Sequence, residues 1–377
     1  MPWKEQTAMS LRLEIVTLAA GGAANVSALS KRYGVSRKTI YKFLKRYAEE
    51  GEDGLKNRSR RPRSSPRKSS APVEKAVLEV RDAHQPWGGR KIRKFLEGTG
   101  VAGVPSASTI TAILRRNGRL DDAQSTKHSP CRRFEMERPN ELWQMDFKGH
   151  FQVGSGRCHP LTVLDDCSRF ALCLRGCLDQ RTQTVRSALV ETFRRYGLPE
   201  RILCDNAGPW AGAGKSAYTR LSAWLMRLDV GMIHGRPWHP QTQGKEERFH
   251  GTLVAEVLRY EGFLTMARCQ QRLDEWRDVY NLQRPHEALS DATPASRYVV
   301  SVREYPEVLP PIEYGPGDLV RKVQCTGEIS FKGRAWPVGD AFSGQPVALR
   351  ATGEDGILAV VYCRHQVATV DLRSPRK

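Results

Sequence analysis

Acidic residues are in short supply. The chain has 41 Asp and Glu against 60 Lys and Arg, a formal charge of +19, and an isoelectric point near 9.8. That balance disfavours a cationic partner and favours a polyanion, either nucleic acid or an anionic membrane surface. Long apolar runs are also missing. None approaches the roughly 18 residues of a spanning helix, and there is no continuous amphipathic basic helix of the lipid-binding kind, so no membrane partner is expected. The opening MPWKEQTAMS lacks the apolar core of a secretory signal, and the chain is expected to stay in the compartment that makes it. The nine cysteines are odd in number and contain no Cys-x-x-Cys pair. Five of them (Cys131, Cys158, Cys167, Cys173 and Cys177) fall in one stretch, several among apolar residues as in Leu172-Cys173-Leu174. Buried free thiols in a reducing compartment account for this pattern. Cys158-His159 beside Cys167 fits no standard zinc spacing.

The sequence does contain enough apolar material, 40% over 377 residues, for roughly two to four domains. The first, residues 1–53, reads as a helix-turn-helix. Val26 to Tyr33 is apolar-periodic, Gly34-Val35 makes a tight turn, and Ser36 is placed to cap a helix through Tyr47. On that helix Ile40, Phe43, Leu44 and Tyr47 share one face, leaving Arg37, Lys38, Tyr41 and Lys42 as candidate DNA contacts. Residues 54–72 form a basic linker. The stretch 54–73 holds seven basic residues and no acidic one, with Pro and Ser at a density that forbids a core. Arg61 and Arg63 are its candidate phosphate or minor-groove contacts.

Residues 73–120 look like a second helix-turn-helix or winged-helix-like domain, with no obvious repeat of the first. A helix over Val73 to Ala83 is broken at Trp87-Gly88-Gly89, another starts at Arg90, and Ser106 or Ser108 caps a last one through Arg116. Arg90 and Lys91 head its basic face as candidate DNA contacts. Residues 121–139 are a polar connector.

From 140 to 300 the pattern changes to strands alternating with helices. Trp143, Met145 and Phe147 alternate with Gln144, Asp146 and Lys148, a half-buried strand. Pro160 to Leu164 and Phe170 to Leu174 are two more, joined by an Asp165-to-Ser168 turn. A helix over 182–196, a short strand over 201–204, a helix near 218–228, a strand at 230–234 and a long helix from about 243 to 260 follow. Another helix covers 265–281. This is a mixed α/β layer arrangement. Residues 301–377 alternate in short Val- and Gly-rich runs and end in a basic tail, the signal of a small β-barrel or β-sandwich.

Acids from three separate elements stand out in this α/β region. Asp146 is on the polar side of the first strand, and Asp205 follows the buried strand Ile202-Leu203-Cys204 directly. Glu246 and Glu247 sit in the first turn of the long helix. Mg²⁺ takes oxygen ligands, and two such ions about 3.5–4 Å apart clamp the attacking and leaving oxygens of a phosphodiester. Singly, an Asp after a strand is ordinarily a turn residue and a Glu in a first helical turn serves the dipole. Together they point to a metal-dependent nuclease or strand transferase using Mg²⁺ or Mn²⁺. The helical wheel leaves Glu246 and Glu247 open, since 246 shares a stripe with Phe249, Leu253 and Val257, and 247 with His250, Val254 and Leu258.

Five segments carry a more specific signal. They are Leu142-Trp143-Gln144-Met145-Asp146-Phe147, Leu164 to Phe170, Cys204-Asp205-Asn206-Ala207-Gly208-Pro209, Trp238 to His250, and Tyr280-Asn281 with Arg284-Pro285-His286-Glu287-Ala288-Leu289 and Thr293-Pro294. In this order the sequence resembles the bacterial insertion-sequence DDE transposases with a retroviral-integrase-type catalytic core. The resemblance covers most of the chain. It implies an RNase-H-like core, and it makes Asp146, Asp205 and Glu247 the catalytic and metal-holding triad, the last chosen by its position three residues after Gly244. His239, Lys245 and Arg248 flank that glutamate as phosphate holders. It further implies two Mg²⁺ or Mn²⁺ ions, double-stranded DNA as transposon end and target, a homodimer or larger assembly on DNA, and a bacterial, nucleoid-associated cytoplasmic location. Asp165 and Asp166 are outside the triad, and pairing with Arg169 is their expected role. Two departures stand out. Forty-one residues, 206–246, separate Asp205 from Glu247, a longer gap than is usual, with the surplus expected in a flap at 211–215. Ala207 stands where many relatives have Gly. The His-His-Cys-Cys motif of the retroviral enzymes is missing, so no structural zinc is implied. The rival readings are a nuclease that cuts without joining and a non-catalytic DNA-binding regulator.

Overall fold

The protein is described by a computed structural model covering residues 7–22, 24–59, 68–120, 135–205, 210, 218–234 and 244–374. It divides into two compact units, residues 1–68 and 69–377. Arg61, Arg63, His239, Asn206 to Pro209 and the 211–215 stretch lie outside the described residues.

The first unit is helical. α1 (Ala8–Ala20), α2 (Val26–Tyr33) and α3 (Arg37–Glu50) pack Ile15, Leu29 and Ile40 at their centre. Gly34 takes the left-handed conformation at φ +65°, which a side chain would resist. Ser36 then caps α3, its hydroxyl accepting from Thr39 N at 3.1 Å. The chain turns back through Gly51–Leu55, where a Cβ on Gly54 would lie 2.3 Å from the Arg46 carbonyl oxygen.

The second unit begins with α4 (Ala71–Ala83), α5 (Gly89–Gly98) and α6 (Ala107–Arg116), built around Val77, Trp87, Ile92, Leu96, Ile110 and Leu114. Of the two candidate caps, Ser106 is the one in place. α5 meets α6 so closely that a Cβ on Gly89 would sit 2.3 Å from Ala107 O.

A six-stranded mixed sheet follows. β1 (Leu142–Phe147) is central, antiparallel to β3 (Gly156–Asp165) and parallel to β5 (Arg201–Cys204). β2 (Phe151–Val153) pairs with the start of β3, β4 (Ala171–Cys177) with its remainder, and β6 (Gly231–His234) runs parallel beside β5. α7 (Thr182–Tyr196) and α8 (Arg220–Arg227) cover one face, burying Trp143, Met145, Leu161, Val163 and Ile202. α9 (Gly244–Leu253) and α10 (Met266–Leu282) cover the other, packing Phe249, Leu253, Leu273 and Trp276 on Leu164 and Leu174. β1 is therefore buried on both sides through Met145 rather than half-buried, because α9 covers its polar face. The long helix also differs from expectation. α9 passes into a wider π turn over Val254–Leu258, where Glu256 turns inward to Trp276 Nε1 (3.0 Å) and Arg284 Nε (2.9 Å).

A strap leads out of the core. Tyr298 stacks on Phe170 with centroids 4.3 Å apart, and Arg303 donates to the carbonyls of Pro199, Leu228 and Asp229. Beyond it come β7 (Leu319–Lys322), β8 (Glu328–Phe331), β9 (Arg334–Pro337), β10 (Pro346–Ala351), β11 (Ile357–Tyr362) and β12 (His365–Asp371). The expected C-terminal β-barrel is corrected here. A four-stranded sheet in the order β12-β11-β10-β7 and a separate β8-β9 hairpin do not close on one another. The hairpin strands pair only with each other among the described strands, and Ile329, Phe331 and Trp336 pack on Val347, Leu349, Val360 and Tyr362 of the sheet. Such face-to-face packing makes a small sandwich.

Candidate active site

The sheet topology brings strand ends together before any acid is considered. The β1–β5 register pairs Gln144 with Leu203, so two residues further Asp146 is level with Asp205. Carboxyl ends of neighbouring parallel strands are where ligands gather in α/β sheets. Asp146 is partly buried, its side chain 24% exposed, and Oδ1 accepts from Phe147 N at 2.8 Å. Burial raises its carboxyl to about 6, and the negative charges of Asp205 and Glu247 push in the same direction. The charges of Asp205 and Glu247 thus reach Asp146. Asp205 accepts from Trp210 Nε1 at 2.6 Å, and its carbonyl faces His234 Nδ1 at 3.1 Å.

Glu246 and Glu247 point to different environments. Glu246 is wholly buried in the stripe with Phe249, Leu253 and Val257, and Glu247 is exposed. The Thr162 hydroxyl lies 2.9 Å from Glu246 Oε2, while Glu246 Oε1 is buried without a hydrogen-bond partner. Burial, and secondarily the charge of Asp146, hold the Glu246 carboxyl well above the usual range. His250 Nδ1 is 4.0 Å from Asp146 Oδ2, but burial brings its imidazole down to about 4, so it is neutral near pH 7 and leaves the carboxylate uncompensated. No Lys or Arg pairs with Asp146 among the described residues.

A divalent ion suits this donor set. Three carboxylates supply hard oxygen ligands, and their mutual repulsion is the kind a cation relieves. Among the described residues, no three such side chains are already drawn tightly enough to enclose an ion.

The neighbouring acids have structural partners. Asp165 accepts from Asn140 N (2.7 Å), Ser168 N (2.8 Å) and Ser168 Oγ (2.6 Å). Asp166 accepts from Met136 N and from the Gln144 amide at 2.7 Å. Arg169 pairs with Glu135 at 3.0 Å, not with the aspartates expected. It is Lys245 that pairs with the buried Asp166, and its amine also donates to the Asp166 carbonyl at 3.1 Å. Lys245 is thus engaged with Asp166 in this structure. Arg248 is exposed on α9. Sequence reasoning missed Thr162, which the β1–β3 register sets directly opposite Asp146. Its signal was a lone hydroxyl within the apolar run Leu161-Thr162-Val163-Leu164.

The expected DNA contacts divide. Arg37, Lys38, Tyr41 and Lys42 are all exposed on α3, Tyr41 by 60%. Arg90 is exposed on α5 and lies 3.3 Å from Glu287. Lys91 is half-buried beside the Arg284–Asp291 segment, and burial, with Arg284 nearby, brings its amine down to about 8. Of the eight described cysteines, Cys158, Cys173, Cys177, Cys204 and Cys269 are buried free thiols. No described helix is long and apolar enough to cross a membrane.

Comparison with known proteins gives this architecture its class. Residues 136–240 and 228–294 each match an integrase core domain. Residues 11–63 match a helix-turn-helix domain and 39–114 a homeodomain-like domain. Residues 318–377 match the C-terminal domain of the IS481 family of transposases. The chain is 27% identical over 157 residues to an uncharacterized 31.7 kDa protein of insertion element IS407 from Burkholderia multivorans, covering 42% of this chain and 54% of that protein. It is 26% identical over 157 residues to an uncharacterized 39.2 kDa protein of IS476 from Xanthomonas euvesicatoria, covering 42% and 44%. The chain therefore spans about half the length of these relatives. Among solved structures, a simian T-cell lymphotropic virus intasome is similar at 14% identity and a TM-score of 0.41, over 80% of this chain and 100% of that one. Residues 136–294 thus match integrase core domains, and they follow residues that match helix-turn-helix and homeodomain-like domains.

Proposed function

We propose that the protein binds the terminal inverted repeats of an insertion sequence and carries out metal-dependent DNA strand cleavage and strand transfer. One observation carries this reading: Asp146, Asp205 and Glu247 come from a strand, a strand end and a helix, and the charges of the last two bear on the first. Asp146, Asp205 and Glu247 would hold Mg²⁺ or Mn²⁺, two ions per site. When bound, the ions supply Lewis-acid polarisation of phosphodiester oxygens and activation of the attacking hydroxyl. Water opens one phosphodiester and leaves a 3′-OH. That 3′-OH then displaces a bond in a second strand, so one phosphodiester is exchanged for another and no nucleotide cofactor is consumed.

The division of labour follows the expected segments. Residues 1–53, with Arg37, Lys38, Tyr41 and Lys42, read the repeat, and the 54–72 linker follows the backbone. Residues 73–120 add contacts at Arg90, 140–300 do the chemistry, and 301–377 bridge DNA or protomers. Joining two ends requires a dimer or larger assembly on DNA. The setting is the nucleoid of a bacterial cytoplasm.

Purified protein, labelled element-end DNA and Mg²⁺ or Mn²⁺ test the reading. Nicking followed by joined products is expected, and chelation stops both. Nicks without joined products leave only a nuclease. Binding without nicks leaves a regulator.

A further inference from the structure

We infer that Thr162, Glu246 and His250 form a positioning joint that fastens the strand carrying Asp146 to the helix carrying Glu247. This rests on the triad assigned under the proposed function and concerns how that triad is held.

The joint centres on one hydroxyl. Thr162 stands directly opposite Asp146 in the β1–β3 pair, on the face that α9 covers. Its Oγ1 lies 3.0 Å from the Asp146 carbonyl oxygen, 2.9 Å from Glu246 Oε2 and 2.9 Å from His250 Nε2. A hydroxyl has one proton to give and two lone pairs to receive. Its one proton is shared between two acceptors, the Asp146 carbonyl and the Glu246 carboxylate, and its lone pairs can accept from His250 Nε2. Thr162 and Glu246 are wholly buried, so water cannot replace a lost bond and the penalty for breaking one is high.

The placement on α9 is specific. Glu246 and His250 are one turn apart and flank Glu247 in sequence, so both grips fall on the turn that presents the third acid. An apolar side chain at 246 would complete the Phe249–Leu253–Val257 stripe without the cost of burying a carboxyl. What the carboxyl adds is the bond to Thr162. Partners that orient a metal's ligands typically change metal affinity by about 10–100-fold when lost.

The test measures Mn²⁺ binding to the full chain by calorimetry, without DNA and well below the melting temperature, which is followed for every variant. Thr162→Val keeps the volume and removes the hydroxyl, and Glu246→Val removes the carboxyl. Each is expected to weaken Mn²⁺ binding about tenfold or more. Thr162→Ser and Glu246→Gln keep a bonding group and should recover most of that loss. If a valine variant does not fold, the other pair decides. Wild-type Mn²⁺ affinity in the valine variants overturns the joint, as does equal loss in the conservative ones. Asp146→Asn separates this from failure of the triad itself: if Asp146→Asn binds Mn²⁺ as the wild type does, or if the wild type binds none, the acid assignment falls.

Discussion

Two adjacent glutamates show how burial divides labour among identical side chains. Glu246 is enclosed with Thr162 and His250, and Glu247 is left to solvent one position on. The wheel alone could not separate them, because both stripes contain apolar residues and the covering of one stripe depends on β3 and α10. Lys245 shows the same dependence on distant partners. Beside a candidate acid in a basic chain it reads as a phosphate holder, yet its partner is Asp166, 79 residues away in sequence. Lys245→Met would leave that carboxylate buried without its cation. It should lower stability by about 3 kcal/mol, read as a fall in the denaturation midpoint. Loss of DNA affinity with an unchanged midpoint would restore the phosphate role.

Elements whose signals are local were legible. Ser36 caps α3, Gly34 makes the turn before it, and Ser106 caps α6, all interactions made within a few residues. The strand-and-helix order of the core was also readable from periodicity. What could not be read was long-range: the double-sided burial of β1, the π turn at Val254–Leu258 and the open pairing of the C-terminal sheets. Alternation along a strand reports which residues face a core and is silent on whether the last strand meets the first. On α3, the exposed Arg37, Lys38, Tyr41 and Lys42 lead to an element-level prediction. Lys42→Ala should reduce the salt slope of element-end binding by about 1, and Arg37→Ala should cost about 1–3 kcal/mol of discrimination between end and random DNA. Titrations over a range of salt concentrations measure both, and unchanged slope and discrimination would remove α3 from the interface.

At the scale of the whole molecule, the charge of +19 is an excess that DNA phosphates can offset. Acid should weaken the fold through its buried histidines. His286 is brought down to about 2, by burial first and then by Arg284 and Lys91. The unfolded chain therefore takes up a proton below about 6.5 that the folded chain refuses until about 2. Stability contributed by neutral His286 is full above pH 6.5 and is lost as pH falls, and His286→Gln should flatten that dependence between pH 6.5 and 4 in urea titrations. An unchanged slope would show that other groups govern acid sensitivity. The central claim concerns the acids themselves. It is tested most directly by cleavage of labelled element-end DNA in Mg²⁺ with Glu247→Gln beside the wild type. The expected result is abolished nicking with end binding intact; nicking by Glu247→Gln at the wild-type rate would contradict the triad and move the third acid to Glu246.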